Sequence, residues 1–332
     1  MEDGVYGGFC LDTVQHITNH LADIGEEVKV TFYADGYVAD SEEAERFIRQ
    51  TNEKYGNQDA EVLVGDFILV SDEKNGLETY NCRFEVAYLW EEYLRSGWDR
   101  IDTIVDNNLR AAKKVDRSVF STISDYAAVK DKLILCLRNI SRNKFRHRDS
   151  LFQKFDDMAM VLYVIVGDDG KGTRLVAPVA RKMTLSWGMD DDEILAAAML
   201  NTARVSLPKI LVPFMGISGV GVEDEWDFMN PLHPLHKIPA TSLGVVVTAT
   251  PRTDGAVAIF YPGVLERLSE MAEGDYYVVF NGKDEAYIHL PQTVTLKKIQ
   301  NALLDSNRAF PEDALTNNIY YYDSKRKALR KV

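Results

Sequence analysis

The residues whose types and spacing best suit chemistry lie between positions 138 and 157. Six bases, Arg138, Arg142, Lys144, Arg146, Arg148 and Lys154, stand against the single acid Asp149 over residues 138–154, and Asp156-Asp157 follow directly. A carboxylate near two guanidiniums and the imidazole of His147 can serve as a general base, a metal ligand or part of a phosphate site. Arg146, His147, Arg148 and Asp156 are therefore the candidate catalytic residues. Arg138, Arg142 and Lys144, joined by Asn201 and Arg204, are candidate contacts for a partner or a phosphate. The six bases could also contact the phosphates of a single-stranded nucleic acid, with Phe145 and Phe152 stacking on its nucleobases. The simpler account is an ion pair that ties Asp156 to the turn before it.

Other motifs are weaker. His16 and His20 are spaced i, i+4 on one helix face, but the metalloprotease pattern needs a glutamate where Ile17 stands, and that face is expected to meet solvent. His233 and His236, near Glu223, Asp224, Glu225 and Asp227, are an alternative metal pair in a proline-rich stretch. Asp190-Asp191-Asp192-Glu193 reads as a helix start closed by a capping box. Gly216-x-x-Gly219-x-Gly221 lacks the dinucleotide spacing, and Asp168–Thr173 is not a phosphate loop. The sequence thus implies no metal and no cofactor. Cys10, Cys82 and Cys136 are odd in number and far apart, which fits a reducing compartment, and Cys136 reads as a buried thiol. The acidic start Met1-Glu2-Asp3-Gly4 has no secretory character, and the longest apolar run, Met158–Val166, is too short to span a membrane. A soluble, cytoplasmic protein is expected.

The elements that must position these residues follow from periodicity. Helices are expected over 12–24 (capped by Asp12), 40–56, 99–112, 124–140, 152–166, from Asp190 to about 205, 263–273 and 295–308. Strands are expected over 62–70 and 79–89, flanking Asn75-Gly76 as a hairpin, and over 175–176, 244–250, 256–260, 276–280, 285–290 and 318–322. After Met158 the apolar run leaves a strand open as an alternative. Residues 209–240, rich in Gly and Pro, read as an irregular excursion. Hairpins outnumber crossovers, so the expected class is α+β, with largely antiparallel sheets and helices packed on one face.

At 332 residues the chain suits about two domains. The charge divides it: residues 1–115 hold 24 acids and 11 bases, whereas residues 116–332 hold 27 of each, so the whole net charge of −13 sits in the first third. The expected domains are an acidic α+β region, 1–115, and an α+β domain, 116–332. The segment 325–331 adds a second basic cluster, Lys325, Arg326, Lys327, Arg330 and Lys331.

From about Tyr80 onward, several features in order resemble an uncharacterised bacterial family, a domain of unknown function common in anaerobic clostridia and their mobile elements. They are Arg146-His147-Arg148 with Asp156 and Ala159, Asn201-Thr202-Ala203-Arg204, Tyr261-Pro262-Gly263-Val264-Leu265, the strands around Tyr276–Phe280, and Tyr320-Tyr321-Tyr322-Asp323. The resemblance implies a fold but no activity. The sequence favours a non-catalytic interaction or regulatory module with a protein partner. An acidic face suits a partner that normally binds nucleic acid, as with DNA-mimicking anti-defence proteins. The alternative is a hydrolase-type enzyme, or a nucleic-acid-binding protein, using Arg146, His147, Arg148 and Asp156.

Overall fold

The structure, a computed structural model, describes residues 3–33, 66–74, 77–116, 118–140, 150–168, 174–216, 219–232, 235–310 and 313–332. The helix expected over 40–56 lies outside them, as do Arg142, Lys144, Arg146, His147, Arg148 and His233. The chain forms two compact units, Met1–Val115 and Asp116–Val332.

The first unit contains helix α1 (Asp3–Asp23), strands β1 (Lys29–Tyr33), β2 (Phe67–Lys74) and β3 (Leu77–Glu85), and helices α2 (Val86–Ser96) and α3 (Trp98–Lys113). The strands pair antiparallel in the order β1-β2-β3. Ile17 and Leu21, one turn apart on α1, share a core with Ile68, Val70, Phe84, Leu89, Ile101 and Val105. α1 begins at Asp3 rather than at an Asp12 cap, because Phe9, Cys10 and Thr13 are buried and extend its packed face upstream. Helix α2 replaces the end of the expected strand: β3 stops at Glu85, after which Val86, Leu89 and Glu92 turn one helical face inward.

The second unit opens with short helices α4 (Ser118–Thr122) and α5 (Tyr126–Val129). Strands β4 (Leu133–Asn139), β5 (Phe152–Phe155), β6 (Met158–Asp168) and β7 (Arg174–Pro178) then form a sheet in which β6 pairs with the other three. Helices α6 (Arg181–Thr184) and α7 (Asp191–Val205) follow. A seven-stranded antiparallel sheet takes β8 (Pro208–Gly216), β9 (Gly219–Trp226), β10 (Val245–Ala249), β11 (Tyr276–Phe280), β12 (Ala286–His289), β13 (Tyr320–Asp323) and β14 (Ala328–Lys331). Its order is β14-β13-β11-β12-β10-β8-β9. Helices α8 (Val264–Ala272) and α9 (Leu296–Ala309) lie between strands in sequence, and α9 sets Ile299 and Leu303 against Val279 and Ile319. The class is α+β. Asp190 does cap α7: its side chain accepts from Asp192 N at 2.8 Å, and Glu193 completes the capping box.

Three expected elements change type. The helices read over 124–140 and 152–166 are largely strands, β4 and the β5–β6 hairpin. Leu133–Leu137 and Met158–Val164 are buried without interruption, and an apolar run inside a sheet satisfies helical spacing as easily as strand spacing. The strand expected over 256–260 is a 3-10 helix, Gly255–Phe260, buried from Gly255 to Ile259. The excursion at 209–240 is half hairpin: β8 and β9 pair from Ile210↔Trp226 to Gly216↔Gly219, with a register shift at Val212/Pro213. Pro213, which has no N–H to give a ladder, lies at that shift.

In β12, His289 is 9% exposed and its Nδ1 has no hydrogen-bond partner among the described residues. Burial lowers its imidazole to about 4, so the folded chain holds it neutral while the unfolded chain takes up a proton near pH 6.5. The contribution is complete above about pH 6.5 and is lost as the pH falls from there through about 4. Urea midpoints measured across that range should fall more steeply for the wild type than for His289→Leu; parallel curves would refute the assignment.

Candidate functional site

The turn that carries Asp156 and Asp157 joins β5 to β6, which pair as far as Phe155↔Met158. A two-residue hairpin turn needs a left-handed residue, and Asp156 takes φ 55°, a region that aspartate tolerates better than branched residues. The hairpin overturns the place expected for Asp156 within a helix over 152–166. Its carboxylate accepts from Asn318 Nδ2 at 2.8 Å and Tyr320 OH at 3.0 Å, with Lys331 Nζ at 3.5 Å. Asp157 accepts from Thr316 Oγ1 at 2.9 Å, and its carbonyl accepts from Ile140 N at 3.2 Å. Burial, reinforced by the adjacent carboxylates, raises the Tyr320 hydroxyl above its ordinary value, so it stays protonated. The two aspartates tie the hairpin to β13, and among the described residues the partners of Asp156 come from 318–331; the turn before it, 141–149, lies outside them.

Arg138, expected to contact a partner or a phosphate, is turned inward. Its side chain is 16% exposed and ion-paired with Asp254, itself 21% exposed. It also donates to Leu137 O at 2.9 Å and to Tyr163 OH at 3.3 Å, with its guanidinium 5.0 Å from the centre of the Tyr163 ring. The physical reason is its strand: β4 is buried, and a charge on it must find an opposite charge. Asp254 is presented by a left-handed backbone, φ 55°, with its N–H donated to Asp284 Oδ1 at 2.7 Å. Gly255 follows because a Cβ there would collide with Thr248 Oγ1 and the backbone of Ala249 and Asp284. Next to the pair, burial first and then Asp254 push the Cys136 thiol far above its ordinary value, which leaves it inert. The adjoining cavity, about 20 Å³, is lined by residues including Cys136, Arg174, Thr202, Ser206 and Asp254. It has room for a water, not a substrate.

Asn201 and Thr202 lie on α7 beside the edge of β4 with which no described strand pairs. Asn201 Nδ2 donates to Leu133 O at 2.7 Å and Asp131 O at 3.0 Å, and Thr202 Oγ1 accepts from Leu135 N at 2.9 Å. These side chains occupy backbone groups of β4 as a neighbour strand would. Arg204 holds Asn201 Oδ1 at 2.7 Å and lies 3.6 Å from the Asp131 carboxylate. Asn201 and Arg204 thus meet at the start of β4, whereas Asp156 lies at the turn beyond its other end, since Leu133 pairs with Val164 and Asn139 with Met158. The described candidates do not converge on one cleft. Sequence reasoning missed Asp254, Thr316 and Asn318; their only signal was the turn-forming string Thr253-Asp254-Gly255 and the polar run before the tyrosines.

His236 is exposed, its ring 5.3 Å from that of Trp226. In the first unit, His16 and His20 do not simply face solvent as expected: α3 covers them. His16 Nε2 lies 2.7 Å from Asp102 Oδ1 and His20 Nε2 2.8 Å from Asp106 Oδ1, and the His16 ring stacks on Trp98 at 4.3 Å. No group of three or more His, Cys, Asp or Glu among the described residues is placed to hold a metal. No described helix is long and apolar enough to cross a membrane.

Fold and site together define an α+β protein whose described candidate polar groups mainly join its own elements. Residues 69–324 match the model of DUF5688, a family of unknown function, and the chain belongs to that family. The match begins in β2, earlier than the resemblance from about Tyr80 suggested. No curated protein and no solved structure matches the chain.

Two substitutions separate tie from catalyst. Arg138→Met should strand the Asp254 carboxylate and cost about 3–5 kcal/mol in urea unfolding, part of it regained in the double variant with Asp254→Asn. Asp156→Asn keeps a residue that tolerates the left-handed turn, and should cost about 1 kcal/mol through its bonds to Asn318 and Tyr320. Unchanged stability in either single variant would contradict the assigned role.

Proposed function

We propose that the chain is a non-catalytic interaction or regulatory module that binds a protein partner through its first unit. The observation behind this reading is the confinement of the net charge, −13, to residues 1–115. A concentrated acidic surface steers association and selects a basic partner. Proteins that bind nucleic acid present basic surfaces, so an anti-defence role on a mobile element, of the DNA-mimicking kind, is the specific form proposed. The internal use of Arg138, Asp156 and Asn201 supports binding over catalysis, because side chains already paired within the fold have less capacity left for a substrate.

The test is capture of the tagged full chain from its native host, with crosslinking and mass spectrometry. One stoichiometric protein partner is expected, released as salt rises. A variant neutralised at the exposed Asp12, Asp23, Glu27 and Asp99 should fold normally and capture several-fold less. If no stoichiometric partner is recovered, or capture ignores both salt and the neutralised acids, the proposal fails.

A further inference from the structure

The seven-stranded sheet ends at β14, and among the described residues no strand pairs with its outer side. Its register on β13 runs from Tyr320↔Lys331 to Asp323↔Ala328. Val332 N donates to Ile319 O at 3.0 Å, which fixes the phase of the ladder. In an antiparallel pair, hydrogen-bonded and non-hydrogen-bonded positions alternate, so Ala328 and Arg330 direct their backbone groups at β13. Leu329 and Lys331 direct theirs outward. Residues 325–328, 330 and 331 are exposed, and residues 325–331 hold Lys325, Arg326, Lys327, Arg330 and Lys331 with no acid.

Charge on an edge strand prevents two like edges from pairing. The same charge leaves the edge attractive to a strand of opposite sign, since rejection of wrong partners and selection of the right one come from one field. Five bases fall within seven residues, of which Arg326 and Lys331 lie 3.8 and 3.5 Å from the carboxylates of Asp323 and Asp156, and the edge offers two outward N–H and C=O pairs to a chain lying along it. We propose that the outer edge of β14 docks an extended acidic segment of a partner protein, which joins the sheet as an additional strand. Backbone hydrogen bonds to Leu329 and Lys331 hold the segment, and the lysines and arginines select its carboxylates. This surface belongs to the second unit and does not depend on the acidic first unit invoked above.

The test uses the full chain and a fluorescent peptide of alternating Glu and Val, with an alternating Lys and Val peptide as control. Binding of the acidic peptide alone is expected, weakening as salt rises. Lys325→Glu with Lys327→Glu should abolish it. Leu329→Pro removes an outward donor that β13 does not use, and should weaken binding about tenfold, the equivalent of one lost hydrogen bond. Amide hydrogen exchange gives a readout that needs no variant: the peptide should slow exchange at Leu329 and Lys331, while Arg330 is already protected in the free chain. The proposal is overturned if the acidic peptide does not bind, if exchange at Leu329 and Lys331 is unaltered, or if a well-folded Leu329→Pro chain binds undiminished. It is also overturned if sedimentation shows that this edge pairs with a second copy, or if a single-stranded oligonucleotide binds more tightly and ignores Leu329→Pro. Each of these leaves the proposal for the first unit standing, which only the capture experiment decides.

Discussion

A guanidinium inside the second unit has to meet a carboxylate, and much of that unit's architecture follows from how this is arranged. Arg138 sits on a buried strand, and its partner Asp254 arrives from 116 positions further along the chain. For the two to meet, the loop after β10 must come within contact of β4. It does so by a left-handed aspartate, a glycine packed against backbone, and a buried 3-10 helix. A lone charge at Arg138 would cost far more than any neutral side chain in its place. The pair therefore acts as a condition on the fold: the four-stranded sheet and the β10 segment are held in one arrangement because other arrangements leave a charge unpaired. Cys136 and the water-sized cavity beside it inherit their character from that burial.

The second organising problem is the free edges of the sheets. Among the described residues β4 pairs with β6 alone, and α7 packs on its other side with Asn201 and Thr202, whose side chains accept and donate where a strand's backbone would. The Asn201-Thr202-Ala203-Arg204 string, at first sight a candidate contact site, is in this light an edge cover, with Arg204 steadying Asn201. At β14 the solution differs: the edge stays exposed and carries cations. A covered edge is finished, whereas a charged one still discriminates among the chains that approach it.

Legibility from sequence followed the strength of local signals. The capping box at Asp190–Glu193, the stripes of α3, α8 and α9, and the strands at 276–280 and 285–290 come from residues close in sequence and were readable. Residues 133–139 and 158–166 were not, because uninterrupted apolar runs carry no usable period. That misreading moved Asp156 from a tight turn into a helix, and so hid its partners Asn318 and Tyr320. The β8–β9 hairpin was obscured by Pro213 and by glycines that mark a turn and a register shift as readily as a loop.

By itself the sequence determined what local pattern and arithmetic can carry: an α+β class, a charge of −13 confined to residues 1–115, a bound on apolar length, and several helix starts. Tertiary structure alone decided the chemistry of the candidate residues. Whether an arginine is a ligand contact or a buried tie depends on what stands opposite it, and for Arg138, Asp156 and Asn201 the deciding groups are Asp254, Tyr320 and Leu133. Those groups lie 116, 164 and 68 positions away. No pattern within a window of residues records such a meeting, because it is imposed by the need to pair every buried charge and polar group across the whole fold.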